Sequence, residues 1–413
     1  MPTNRPAAGF GVVTGAGVRW RDWPFHDQGL FVKKQLFWIL CKYGLGLGLL
    51  GYVIWNYWSY PAPNDPTKTM GLVTALDKPI HVLPLLIGLV ICSASVFLTF
   101  VRWFILVRAQ GLPFTLPNAI RLGLIGTYLN TFLPGSVGGD IIKATFIARE
   151  QSRRTVAVAT VLIDRGIGLT ALFWLVAVVG GFFWAGGYLE QMVSDPATLE
   201  FIVSVALGLM AASLVFWFLL GFLPQRRADK FAWRLGRIPK IGHSLAEFWR
   251  AVWMYRCRGK SVALAILLAM IGHVGFVLSF YCAALTLNRP NEVPSLQTHF
   301  LLVPVGKSIQ AGFPAPGGVG GGEVAFGELY KRVNYPFDRG VLACLTQRVM
   351  DWILAFTGYL VYLRMRPALR ASAEQARKEA LTLPHPPPSA NGAAGHLAPA
   401  CPGATDDRTN TPV

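Results

Sequence analysis

The sequence predicts an all-α integral membrane protein with about six full spans and two broken helical hairpins arranged as an inverted repeat. Three observations predict it. The chain is 53% hydrophobic and only 14% charged, against roughly 25% charged in soluble domains, too few charges to coat a water-facing surface. Apolar runs of about 20 residues, enough for a helix to cross a hydrocarbon core of about 30 Å, recur along it. Two Pro/Gly clusters interrupt span-like stretches and match one another.

Residues 1–34 mix Gly, Trp, Arg and Asp ahead of Lys33 and Lys34, without the basic, apolar, small-residue order of a signal peptide. They are expected to form a cytosolic lead-in. A first span at about 35–58 and an external loop fill 35–77. The first repeat, 78–223, holds spans at 81–107, 156–185 and 201–223, with a hairpin at 117–150. Segment 224–260 interleaves Phe231, Trp233, Leu235, Ile238, Phe248, Trp249 and Trp253 with cations. One or two basic amphipathic helices on the cytosolic face are expected there. The second repeat, 261–366, holds spans at 262–287 and 340–364 and a hairpin at 296–332. Residues 367–413 are expected to be a disordered tail, because the chain from Pro384 is rich in Pro, Ala, Gly and Thr without periodicity.

Each hairpin is broken where Pro and Gly cannot continue a helix. Pro134-Gly-Ser-Val-Gly-Gly-Asp140 aligns with Pro316-Gly-Gly-Val-Gly-Gly-Gly-Glu323, the second carrying one extra glycine. Arg165 follows Asp140, and Arg348 follows Glu323, at the same spacing of 25 residues. A shift of 183 residues also carries the span at 81–107 close to the span at 262–287.

The net charge of +17 resides mostly in segments flanking the apolar runs, namely Lys33-Lys34, Arg102 with Arg108, Arg149 with Arg153 and Arg154, the stretch Arg226 to Lys260, and Arg364 to Lys378, the pattern of cytoplasmic loops, so no nucleic-acid partner is expected. Placing those segments inside leaves loops 58–80, 186–200 and 288–295 external, both termini cytoplasmic, and the two hairpins opening from opposite faces. Lys331, Arg332 and Arg339 fall outside and break the rule. The six cysteines are scattered without metal-ligand spacing, so no disulfide framework, metal or cofactor is expected.

The run Tyr128-Leu-Asn-Thr-Phe-Leu-Pro-Gly-Ser-Val-Gly-Gly-Asp-Ile-Ile-Lys143, with Asp164-Arg165 and Pro316-Gly-Gly-Val-Gly before Glu323, resembles the flippase-like transmembrane family. That family includes the membrane domain of lysylphosphatidylglycerol synthases and stand-alone relatives. It usually carries a charged residue where this chain has Gly322. The resemblance covers about 80–365. It implies translocation of a lipid or lipid-linked head group in the cell (inner) membrane. The segment after Arg370 is too short for the aminoacyl-transferase domain of the full synthases, so lipid aminoacylation is not implied and the chain is not expected to be an enzyme.

The residues themselves point the same way. A half-helix starting at Gly138, Gly139 and Asp140 aims unpaired N–H groups and its positive dipole end at the break, where a phosphate can sit. Lys143 lies one turn further. Arg165 and Arg348 lie within apolar spans, where an unpaired cation costs at least about 2.5–3.5 kcal/mol. Two readings stand: structural ion pairs with Asp140, Asp164, Glu323 and Asp351, or contact with a substrate phosphate. Asp140 is read as an N-cap or a counter-ion, and Glu323 as a counter-ion or a proton-coupling group. Lys307 is read as a further cation or a snorkelling lysine, and His273 as an interhelical hydrogen bonder or a proton relay. Asn130, Gly317 and Gly318 complete the candidate substrate-binding set. Trp55, Tyr57, Trp58 and Tyr60 read as an interface belt.

The expected function is transport of a phosphate-bearing lipid or lipid-linked molecule between leaflets, with an anionic membrane lipid as the substrate partner. The alternatives are a membrane transferase acting on a lipid phosphate and a non-transporting partner of an envelope-lipid enzyme.

Overall fold

The computed structural model describes residues 28–62, 65–132, 154–189, 196–238 and 242–382, together with 139–140, 143–144 and 146–147. The elements in order are α1 (Gln28–Tyr57), β1 (Tyr60–Ala62), β2 (Asp65–Met70), α2 (Leu72–Leu76), α3 (Val82–Ala109), α4 (Leu116–Phe132), α5 (Arg154–Ala185), α6 (Pro196–Phe222), α7 (Gln225–Gly236), α8 (Gly242–Met254), α9 (Gly259–Leu287), α10 (Leu296–Gly312), α11 (Gly321–Arg332) and α12 (Phe337–Thr382). Among the described residues, four stretches are long and apolar enough to cross a membrane: Val82–Ala109, Thr155–Ala185, Leu199–Phe222 and Leu245–Leu287. Helices also occupy the expected spans at 35–58 and 340–364, as α1 and α12.

Two details differ from expectation. The last helix runs to Thr382, so residues 367–382 are helical where the tail was expected to begin. Residues 383–413 lie outside the described residues. The loop between α1 and α3 contains an antiparallel β pair, with Tyr60 opposite Met70. It is anchored from below: Tyr60 donates its hydroxyl hydrogen to Asp338 Oδ1 at 2.8 Å, and Asp338 is fully buried at the start of α12. Burial and the Asp338 charge both push the Tyr60 hydroxyl above its ordinary pKa, so it remains the donor. Tyr60→Phe is therefore expected to leave a buried carboxylate oxygen without its donor, costing about 1–3 kcal/mol. Thermal unfolding of the detergent-solubilised protein checks this, and faster amide exchange in β1 and β2 should accompany it.

The axis of the fold is the packing of α3 on α9. Ser279 donates to the Gly88 carbonyl at 3.0 Å. Seven residues later on α3, Ser95 lies against Gly272 and Gly275, which come earlier on α9, so the two helices run antiparallel. At one end the His81 amide donates to the Thr286 carbonyl (2.9 Å); at the other the contact passes to the segment before α9, where Tyr255 donates to the Leu106 carbonyl (2.8 Å) and Gln110 to the Ala251 carbonyl of α8 (3.0 Å). Small residues at the crossing let the backbones approach, the usual device where lipid gives no hydrophobic drive between helices. His273 bridges α9 to the Gly168 carbonyl of α5 at 2.9 Å, which matches the interhelical reading.

The second hairpin folds as α10 and α11, with Phe326 stacked on Phe280 of α9 at a centroid distance of 4.2 Å. His299 of α10 sits fully buried between the Ser295 carbonyl (2.9 Å) and the Tyr330 hydroxyl (2.6 Å). The first hairpin has α4 as its leading arm, held by α12 where Gly358 abuts the Leu124 backbone. Segment 224–260 forms two short helices, α7 and α8, as the aromatic and basic alternation predicts.

Candidate functional site

The second hairpin breaks because Pro314 and Pro316 cannot continue α10. The glycines beyond them take left-handed backbone, with φ of 57° at Gly317, 67° at Gly318 and 81° at Gly320, a region that Cβ-bearing residues avoid. α11 restarts at Gly321. Glu323, in its first turn, accepts the Gly320 amide through Oε2 at 2.7 Å, placing a carboxylate at the positive end of the helix. The other oxygen accepts Arg348 Nε and Nη2, both at 2.7 Å. The same guanidinium donates to the Gly317 carbonyl at 3.0 Å and to that of Gly318 at 3.4 Å. Glu323 is 0% exposed and Arg348 5%. A cation of α12, a hairpin acid and the hairpin backbone thus form one neutral unit, the condition for keeping charges in a low-dielectric interior.

The first hairpin repeats this pair in a more open form. Arg165 Nε donates to Asp140, as Arg348 does to Glu323. Lys143 Nζ lies 3.6 Å from Asp140 and 5.7 Å from the Trp103 ring centroid. Asn130 of α4 accepts the Gly139 amide at 2.7 Å, tying the two arms together. The Arg165 side chain is 46% exposed, against 6% for Arg348. Gly138 lies outside the described residues, as do 133–137 and 141–142, on which the N-cap reading of Asp140 depends.

The break of the second hairpin meets the end of α4. A Cβ on Gly317 would stand 3.2 Å from the Thr131 carbonyl oxygen, next to Asn130. α1 braces both: Tyr43 donates to the Phe132 carbonyl at 2.5 Å, while Gly46 faces Ala315 and Val319.

Asp164 and Asp351, expected as partners of the two arginines, are engaged elsewhere. Asp164 receives both Nε (2.7 Å) and Nη2 (3.0 Å) of Arg102. Adjacent residues on a helix diverge by about 100°, so Asp164 and Arg165 face different neighbours. Asp351 takes Gln347 at 3.1 Å and Lys307 at 3.8 Å, so Lys307 is ion-paired within the fold. Arg102 was read as a flanking loop cation beside Arg108, yet it is 7% exposed in the body of α3. The available signal was its position inside the apolar run 81–107, where a cation must find an anion. Among the described residues, no group of three His, Cys, Asp or Glu side chains is placed to hold a metal.

Close approach sets one further requirement. A Cβ at position 139 would run into the Gly126 backbone of α4, and backbone cannot rotate away as a side chain can. Gly139→Ala is expected to cost about 1–3 kcal/mol by overpacking. Gly208→Ala, where nothing lies within 4 Å, should change stability by less than about 0.5 kcal/mol. Comparing the two in thermal unfolding isolates the hairpin contact.

The family described as the lysylphosphatidylglycerol synthase TM region matches residues 45–358, more than half of the chain and both hairpins. Neither a curated protein nor a solved structure matches it.

Proposed function

We propose that this chain, which belongs to the lysylphosphatidylglycerol synthase transmembrane-region family, carries phosphate-bearing lipids or lipid-linked molecules between leaflets through the paired hairpin sites. It is a multi-pass membrane protein of a lipid-handling family. The observation that carries the proposal is the recurrence of one unit, a hairpin acid bonded to an arginine 25 residues later, at Asp140–Arg165 and Glu323–Arg348. The repeat is inverted in this reading, with α1 and α12 completing six spans. Its support is that α3 and α9, which a shift of 183 residues superposes in sequence, pack antiparallel. Two copies related by an axis in the membrane plane require that.

The acids serve as resting counter-ions. A lipid phosphate arriving at the half-exposed Arg165 competes with Asp140 for the guanidinium, while Lys143 supplies a second cation. Arg348 is closed by Glu323 and by two backbone carbonyls, so the two copies differ in access as alternating access demands. The chain acts as a carrier and performs no covalent chemistry in this account. The inside placement of the basic segments sets both termini in the cytoplasm. Arg339, which breaks that rule, is buried 3.8 Å from Asp338 and bonded to Asn288 at 3.0 Å. It is neutralised within the fold and adds no loop charge.

Native mass spectrometry of the protein extracted in mild detergent tests the binding step. Adducts of phosphatidylcholine, a phosphate-bearing lipid without net charge, are expected on the wild type and should be depleted in Arg165→Ala. Equal retention by both would separate lipid binding from the arginine and refute the site.

A further inference from the structure

We propose that the outward face of α7 binds the anionic headgroups of the leaflet surface at which α6 ends, independently of the transport reading. α7 touches the protein through a narrow ridge: Ala228 and Ala232 are buried, and Trp249 of α8 donates to the Ala228 carbonyl at 3.1 Å. The Phe231 ring meets the same tryptophan at 4.7 Å. At about 100° per residue, Arg226, Lys230 and Arg237 fall within about 40° of one another. Arg234 and Arg227 extend the stripe to about 100°, and the buried alanines lie on the opposite side. All five cations are exposed. Asp229, the acid of this helix, sits outside the stripe.

Exposed apolar side chains bracket the cations, with Trp233 at 58% on one edge and Phe231 at 44% and Ile238 at 40% on the other. Arg237 stacks on Trp233 with its guanidinium carbon 3.6 Å from the ring centroid. Stacking engages the face of the guanidinium and not its edge N–H donors, the group that pairs with phosphate.

Position in the fold selects the occupant. α6 ends in exposed Phe218, Leu219 and Phe222, lipid-facing residues of an apolar span. α7 begins at Gln225, and Arg256 donates to the intervening Leu223 carbonyl at 2.8 Å. The stripe therefore starts where the hydrocarbon stops. Cations bracketed by interfacial aromatics at that depth match a layer of lipid phosphates.

Amide hydrogen exchange on the full chain in nanodiscs tests this. Residues 225–238 should exchange more slowly in discs containing phosphatidylglycerol than in pure phosphatidylcholine. High salt should abolish the difference by screening. Neutralising the stripe with R226Q/R227Q/K230Q/R234Q/R237Q should abolish it too, and single substitutions should weaken protection by about fivefold each. Unchanged exchange in α3 and α9 would certify that these variants fold. Equal exchange in both lipids overturns the proposal, as does protection that appears only when an acidic protein or RNA is added.

Discussion

Arg348→Ala is expected to destabilise the protein by about 3–5 kcal/mol, the largest effect of any single substitution at the site. Removing one partner of a buried pair leaves the other charged, desolvated and unmatched. Here Glu323 would remain 0% exposed at the tip of the second hairpin, and the Gly317 and Gly318 carbonyls would lose their donor. Arg348→Lys should rescue poorly, because one ammonium cannot reproduce a planar fork that serves a carboxylate and two carbonyls. Glu323→Gln combined with Arg348→Met removes both charges and should recover much of the stability. Thermal unfolding of the three variants checks this. An Arg348→Ala protein as stable as wild type would mean that the pair does not hold the hairpin.

Arg165→Ala is expected to do the reverse: fold nearly as well as wild type, within about 1 kcal/mol, yet lose lipid transfer by at least about tenfold. The Arg165 side chain is half exposed, so solvent already screens its pairing, and Lys143 remains 3.6 Å from Asp140 as a counter-ion. What disappears is a charge-assisted contact of about 1.5–3 kcal/mol to the incoming phosphate, enough for a loss of that size. Equivalent residues in two repeats would then separate into one that locks a hairpin and one that receives the lipid. Transfer rates in proteoliposomes, normalised to folded protein, give the comparison.

The spacing of the two acids from their arginines was legible because hairpin and following span are contiguous in sequence, and a duplicated unit keeps its internal distances. Partner choice among the remaining charges was not legible. Asp164 sits beside Arg165 in sequence but bonds to Arg102, 62 residues away, because helix phase and the approach of α3 decide the contact. Arg102 itself was overlooked through its neighbour Arg108: two cations six residues apart looked like one flanking cluster, whereas one lies inside the span. The β pair was hidden for a different reason. Tyr-Pro-Ala and Asp-Pro-Thr carry little strand propensity, and the hairpin is fixed by a distant anchor, the Tyr60 hydroxyl on Asp338. The contact between the second hairpin's break and the end of α4, Gly317 against Thr131, likewise depends on tertiary packing that one-dimensional periodicity does not encode.

Transbilayer movement of a fluorescent phospholipid in proteoliposomes tests the central claim most directly. The labelled lipid starts in both leaflets, a membrane-impermeant reductant quenches the outer one, and the fraction that becomes accessible afterwards reports translocation. The wild type should expose the inner pool of a phosphate-bearing lipid while leaving a labelled neutral diacylglycerol analogue at the protein-free rate. Arg165→Ala should fall towards protein-free liposomes. Phospholipid movement no faster than in empty liposomes, or the same in wild type and Arg165→Ala, would contradict translocation through the paired hairpin sites.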